Sequence, residues 1–378
     1  MEKNNLKYYQ KVLYLIKPYY LITIKDIAKE ANVSTGTVDR VLHNRGGVST
    51  NTETKIRKIL KQKKFKINLI ASSLAMKKHK NLATLIPKHD TQNLFWKSPY
   101  SGIQKANQEV GAYGIENHIF LFDQFDPQSY LKAFRKLIKI KPDAVVMVPM
   151  FVKESNIIIE ELNDKKIPYL FLNANLKGYE NLSYIGQKSF EAGVLSGKLS
   201  HLLCSEEKDE FLIILTRKNI HDYEANSERI KGFINYFNEN SPQTVIHQLK
   251  FDQSDSNHKV RKEINDFLTQ NPGVRAVMVP SSRVSNICKL IDSDLLSGLK
   301  LIGFDTTPQN VEALNKGVVA FLISQKSFNQ GYKAIKTIAN YLVHKETPSD
   351  EIPMPLEIIT KENYKYSHSE ERNYYNDN

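Results

Sequence analysis

From residue 82 onward the chain repeats one pattern, a short apolar run rich in β-branched and aromatic residues followed by a longer amphipathic stretch. The runs fall at 82–86, 118–122, 144–148, 169–172, 211–215, 245–249, 276–279 and 301–304. Strands that are apolar at consecutive positions are covered on both faces, and strands joined through helical stretches run parallel. The pattern predicts an α/β fold of doubly wound parallel sheets. Two series of four, meeting near Gly186, predict two lobes. In such sheets ligands sit beyond the carboxyl ends of the strands. After the first run stand Phe95, Trp96 and Tyr100, whose rings suit either the apolar face of a sugar or lobe packing. After later runs stand Gln124, Asn173, Asn175, Gln187, Ser281, Arg283, Asp305 and Gln325, side chains that hydrogen-bond hydroxyl groups.

Charge divides the chain in a different place. Residues 1–80 hold 18 Lys/Arg against 5 Asp/Glu, and the remainder holds 35 against 36, so the whole net charge of +12 belongs to the first fifth. A segregated positive field attracts polyanions, of which nucleic acid is the commonest; an anionic membrane surface is the other candidate.

Local patterning within residues 21–66 favours DNA. Thr23-Ile24-Lys25-Asp26 has the form of a capping box, and Ile24, Ile27, Ala28 and Ala31 then recur at helical spacing. Two alanines make that stripe narrow, so a second helix can approach closely. Asn32 tolerates left-handed backbone, and Ser34 can cap a helix carrying Val38, Val41 and Leu42 on one face. Gly46-Gly47 ends that two-helix unit, and Ser49 opens a third helix with Ile56, Ile59 and Leu60 inward. Two helices across so short a turn meet steeply and present the second to a major groove; a helical bundle without a DNA role is the plainer alternative.

The segment Ile24-Lys25-Asp26-Ile27-Ala28 through Val33-Ser34-x-x-Thr37-Val38-x-Arg40-Val41-Leu42 resembles the LacI/GalR family of bacterial transcription regulators, and the match continues through Val48-Ser49, Phe65 and Asn68-x-x-Ala71-x-x-Leu74. The resemblance implies that Thr35, Gly36 and Arg40 face the bases. It extends the DNA-binding set to Thr23, Ser34, Thr37 and Ser49, and through a hinge to Asn68, Ala71 and the minor-groove wedge Leu74. An arginine at position 40 suits guanine O6/N7, a pairing worth about 1–3 kcal/mol of discrimination. Asp39 beside it either accepts from a cytosine or orients the arginine. Lysines 61, 63, 64, 66, 77, 78 and 80 flank the hinge as phosphate contacts, and Ile67 stands where the family usually has proline.

The resemblance also implies a two-lobed periplasmic-binding-protein fold with effector residues Arg229, in Arg229-x-x-Gly232-Phe233, Asp305, in Ile302-Gly303-Phe304-Asp305, and Gln325, in Ile323-Ser324-Gln325. The expected organisation is an extension over 1–20, the DNA-binding unit over 21–66, a hinge over 67–80, the effector and dimerisation domain over 81–362 and a polar tail over 363–378.

Other classes find little support. Two cysteines, Cys204 and Cys288, are too few for a disulfide framework and lack metal-site spacing, and the ten histidines show none either. No nucleotide, nucleophile-elbow or zinc-protease motif occurs, so no cofactor, metal or catalytic residue is expected. No apolar run approaches the roughly 20 residues of a membrane span, and no export signal is legible, which points to the cytoplasm. The expectation is a homodimeric repressor reading double-stranded operator DNA under control of a carbohydrate-like effector. The alternative is an extracytoplasmic sugar-binding protein of a transport system.

Overall fold

The computed structural model describes residues 24–42, 46–63, 79–90, 94–204, 209–216, 224–252 and 255–367. Among these, residues 24–63 together with 344–346 fall in one compact unit and the rest in the other.

The first unit contains α1 (Ile24–Ala31), α2 (Thr35–Leu42) and α3 (Thr50–Gln62). Its core is Ile27, Ala28, Ala31, Val38, Val41, Ile56 and Ile59, with Ile24, Val33, Leu42, Val48 and Leu60 packed at its margin. The turn between α1 and α2 is set by Asn32, whose φ of 56° lets the Val33 N–H reach the Ala28 carbonyl at 3.0 Å. Ser34 caps α2 by accepting from the Thr37 N–H at 3.1 Å, and Ser49 caps α3 by accepting from Thr52 at 3.3 Å.

The second unit is built on two six-stranded sheets. The first has the order β11 (Glu351–Met354), β5 (Tyr184–Gln187), β4 (Tyr169–Leu172), β3 (Ala144–Met147), β1 (Lys80–Pro87), β2 (Ile115–Phe122) and the second β12 (Glu357–Ile359), β10 (Val319–Ser324), β9 (Lys300–Phe304), β8 (Val274–Met278), β6 (Glu210–Leu215), β7 (Ile246–Lys250). In chain order the first lobe runs β1 (Lys80–Pro87), α4 (Lys97–Val110), β2 (Ile115–Phe122), α5 (Pro127–Leu137), β3 (Ala144–Met147), α6 (Val152–Asp164), β4 (Tyr169–Leu172) and β5 (Tyr184–Gln187). The second runs α7 (Ser189–Leu203), β6 (Glu210–Leu215), α8 (Glu224–Asn240), β7 (Ile246–Lys250), α9 (Asn257–Gln270), β8 (Val274–Met278), α10 (Val284–Cys288), β9 (Lys300–Phe304), α11 (Pro308–Asn315) and β10 (Val319–Ser324). Then α12 (Ser327–His344) returns to the first core, β11 (Glu351–Met354) joins the first sheet and β12 (Glu357–Ile359) the second.

Strand β6 shows why the runs are apolar throughout. Phe211, Ile213 and Leu215 pack into one core with α7 and α8, while Leu212 and Ile214 pack into the other with α9 and α10. All pairings are parallel except that of β12 with β10. The exception follows from connectivity. Strand β11 ends at the carboxyl edge of its sheet, so a short link brings β12 into the second sheet from that sheet's carboxyl edge, with Glu357 opposite Ser324. Four strands, β5, β10, β11 and β12, lie outside the eight runs read from sequence.

Two helix crossings are unusually close, and both use paired glycines. A Cβ on Gly193 of α7 would lie 2.0 Å from the Arg229 carbonyl of α8, and one on Gly232 would lie 2.0 Å from that of Phe190. In the first lobe Gly102 and Gly331 stand in the same relation to the carbonyls of Phe328 and Pro99, at 1.9 and 2.0 Å. Because the obstacle is backbone, Gly193→Ala must push α7 and α8 apart. We expect a loss of about 1–3 kcal/mol in urea denaturation; an unchanged midpoint would show that the crossing tolerates separation.

Candidate functional site

Because both sheets present their strand carboxyl ends to the same cleft, the residues just beyond β1, β2, β3, β6, β8, β9 and β10 converge there. A chamber of about 70 Å³ is lined by Trp96, Gln124, Phe125, Met150, Asn226, Arg229, Ser281, Arg283, Asp305 and Gln325, together with Phe95, Thr216 and Ser282. Trp96, in a 3-10 turn after β1, is 2% exposed and points its indole N–H at Gln124 Oε1, 3.3 Å away.

Arg229 and Asp305 are the chamber's buried charges, 3% and 4% exposed. The Arg229 guanidinium donates from Nη1 to the Pro280 carbonyl at 2.7 Å and from Nη2 to Gln187 Oε1 at 2.9 Å, and lies 4.1 Å over the Phe304 ring. Burial pushes the Asp305 carboxyl above its usual range, while nearby Arg229 and hydrogen bonds from Gln325 and Ser282 pull the other way. Its backbone sits at φ 66°, the left-handed region, with its N–H held by the Ile323 carbonyl at 3.0 Å. Asn310, wholly buried, donates to the Ser282, Phe304 and Asp305 carbonyls and fixes that turn.

From Asp305 a hydrogen-bond relay runs to the opposite lobe. Gln325 Nε2 donates to Asp305 Oδ1 at 2.8 Å, and Asn173 Nδ2 donates to Gln325 Oε1 at 3.0 Å and to Gln330 Oε1 at 2.9 Å. In this arrangement Gln325 turns its nitrogen to Asp305 Oδ1 and its oxygen to Asn173, which donates. Asn173 occupies in the first sheet the place Asp305 occupies in the second, after the equivalent strand and at φ 68°.

Of the residues expected from sequence, Trp96, Gln124, Arg229, Ser281, Arg283, Asp305 and Gln325 line the chamber. Asn173 and Gln187 stand behind it, bonded to Gln325 and Arg229, and line a separate recess with Asn175. Gln187 Nε2 is buried there with no hydrogen-bond partner among the described residues. Tyr100 is not among the lining residues: leaving on α4, it packs against His89 at 4.8 Å and accepts from Gln104 at 2.8 Å. Phe125, Met150 and Asn226 line the chamber as well, outside the residues expected from sequence. Phe125 and Met150 follow strands β2 and β3, so the strand-end rule reaches them once apolar residues are admitted, and Phe125 carries the Arg283 guanidinium 5.5 Å over its ring.

In the first unit, α2 buries Val38 and Val41 and leaves Ser34, Thr35, Gly36 and Arg40 exposed, with Thr37 and Asp39 half-buried. Gly47, at φ 72°, makes room for Arg40: a Cβ there would lie 2.8 Å from its Nη1. Ser49 is exposed at the start of α3. Thr23, Asn68, Ala71 and Leu74 lie outside the described residues.

Among the described residues no group of three or more His, Cys, Asp or Glu is placed to hold a metal, and no helix is long and apolar enough to cross a membrane. Burial pushes the Cys204 and Cys288 thiols up to about 11 and about 12, so neither offers a thiolate near neutral pH.

Asn173→Asp tests the relay without changing shape. It sets an acceptor against two amide oxygens, and we expect a loss of at least about 2 kcal/mol at neutral pH in urea denaturation, from an unsatisfied-group cost of about 1–3 kcal/mol each. The desolvated new carboxyl should have a raised pKa and recover a donor when protonated. The deficit should therefore shrink as pH falls through the acidic range. A deficit independent of pH would contradict the assigned direction.

Residues 23–68 match the family model for bacterial regulatory proteins of the lacI family, and residues 83–346 match that for a periplasmic binding protein domain. Catabolite control protein A of Staphylococcus aureus is 22% identical over 222 residues, 59% of this chain and 63% of that protein. The HTH-type transcriptional regulator MalR of Streptococcus pneumoniae is 26% identical over 161 residues, 42% of this chain and 47% of that protein. The matched region thus spans less than two thirds of these curated relatives. Among solved structures, a candidate LacI transcriptional regulator from Bacteroides fragilis superposes with a TM-score of 0.71 at 27% identity, covering 77% of this chain and all of that one. GanP, a glucose-galactose binding protein from Geobacillus stearothermophilus, superposes at 0.64 with 20% identity over 76% of this chain and 99% of its own, which shows the shared fold. Taken together, the two family models establish that the chain belongs to the periplasmic binding protein domain family over residues 83–346 and carries a region of the lacI family of bacterial regulatory proteins at residues 23–68.

Proposed function

We propose that the protein is a cytoplasmic transcription regulator, a homodimeric repressor that reads an operator through α2 and responds to a carbohydrate bound between its lobes. The observation that carries the reading is the pairing, in one chain, of an α2 that turns Thr35, Gly36 and Arg40 to solvent with a chamber combining aromatic rings and buried polar groups. Rings suit the apolar face of a sugar. Buried charged groups hydrogen-bond hydroxyls strongly and are left unpaired by an analogue that lacks one. A transport binding protein would share the lobes but has no use for the basic helical unit. The TM-scores of 0.71 for the Bacteroides protein and 0.64 for the sugar-binding protein both support the fold, and the lacI-family match favours the regulator over the transport reading.

Control follows from coupling. An effector that prefers one lobe arrangement changes operator affinity by its preference, typically about 1–3 kcal/mol or 5–150-fold. The relay Asn173–Gln325–Asp305 is the natural element for it to bias, since it joins the lobes behind the chamber.

The test is to select genomic fragments with the full-length protein and measure their binding by fluorescence anisotropy, with and without sugars. Arg40→Ala should cost about 1–3 kcal/mol on the selected fragment and leave salt-dependent binding to random DNA intact; equal loss on both would contradict a base-reading role. Asp305→Ala should retain fragment binding and lose the sugar response, whereas a retained response would place the effector elsewhere.

A further inference from the structure

The chamber is small for a complete ligand site. Its volume of about 70 Å³ falls well below the roughly 300–1,000 Å³ of ordinary ligand pockets. Beside it lies a compartment of about 440 Å³ that shares Phe95, Thr216, Ser282 and Arg283 as a common wall. Leu94 and Phe95 of the first lobe and residues of the second line it, so it is a continuation of the same cleft.

The side-chain amides of Asn257, at the start of α9, Asn286, on α10, and Gln309, on α11, line the compartment. No hydrogen bond from any of the three to the described residues is present, although each can donate and accept. Its charges are already engaged. Asp255 accepts from Lys259 Nζ at 2.8 Å and from the Asp252 N–H at 2.6 Å, and Arg283 lies over Phe125. Among the described lining residues Arg283 is the only cation and shares the lining with the carboxylates of Asp252 and Asp255, a poor setting for a phosphate. Three free amides around a floor of Val260 and Leu290 suit a neutral unit with several hydroxyls and an apolar ring face.

We propose that the effector is a neutral sugar of two linked units, one seated in the chamber against Trp96, Arg229 and Asp305 and the other in the outer compartment against Asn257, Asn286 and Gln309. This rests on the carbohydrate reading above and narrows it to uncharged glycosides, excluding sugar phosphates.

Trp96 is the only tryptophan in the chain and lines the chamber, so its fluorescence reports binding there. The full-length protein is titrated by fluorescence and calorimetry with glucose, maltose, cellobiose, galactose, lactose, melibiose and glucose 6-phosphate. At least one disaccharide should bind about tenfold or more tighter than either of its component monosaccharides and than the phosphate. Asn286→Phe, at an exposed position, fills the outer compartment and should weaken that disaccharide by about tenfold while leaving monosaccharide affinity within about twofold. Gln309→Ala should act in the same direction without adding bulk. A monosaccharide or the phosphate binding as tightly as every disaccharide, or variants that weaken both sizes equally, would overturn the two-unit assignment and leave the carbohydrate reading standing. Failure of every sugar to bind would overturn the carbohydrate reading and this inference with it.

Discussion

Two opposite charges buried in one cleft, Arg229 and Asp305, set the terms for much of the second unit. An ionised side chain removed from water is costly unless its partners replace the lost hydration. Here the partners come from several elements: a carbonyl after β8, Gln187 at the end of β5, the Phe304 ring at the end of β9, and Gln325 after β10. Each must be brought within hydrogen-bond reach at once, which only strands ending at a common edge can do. The glycine crossing of α7 and α8 belongs to the same requirement. Gly193 meets the carbonyl of Arg229 itself, so the position of the guanidinium depends on how closely two helices approach.

The two lobes solve these problems in parallel. Both sheets place their first four strands in the same order, and each continues to a fifth strand and an edge strand contributed after the crossovers. Left-handed residues follow the equivalent strands β4 and β9, and glutamines stand at or just beyond the ends of β5 and β10. What differs is charge. The first lobe offers a neutral Asn173 where the second offers Asp305, and that asymmetry orients the hydrogen bonds between them.

How much of this is legible without coordinates depends on where the information lies. Strand β6 is plain in sequence because both of its faces are buried, and the three helices of the first unit are plain because their apolar spacing is regular. Strands β11 and β12 are short, partly exposed edge strands with no apolar run, and β12 owes its antiparallel sense to the crossover. The strand-end rule reaches Asp305 and Gln325 because chemistry and position coincide. It passes over Phe125 and Met150 because apolar residues at strand ends look like core. Asn226 sits on α8, where no strand-end rule applies. Tyr100 shows the opposite failure: its neighbours His89 and Gln104 hold it away from the chamber's lining, and those contacts are tertiary.

On the proposed reading, the separation of charge also bears on how a signal would travel. The excess positive charge lies in residues 1–80, and the remainder is nearly neutral. Fields between charges decay over about 8 Å at physiological ionic strength. A neutral sugar brings no charge to change such a field, so its binding energy has to be expressed as a preference between lobe arrangements. The groups able to register that preference are those whose hydrogen bonds cross from lobe to lobe and have no slack. Asn173, Gln325 and Asp305 meet that condition, because reversing any one of them leaves a buried amide or carboxylate without its partner.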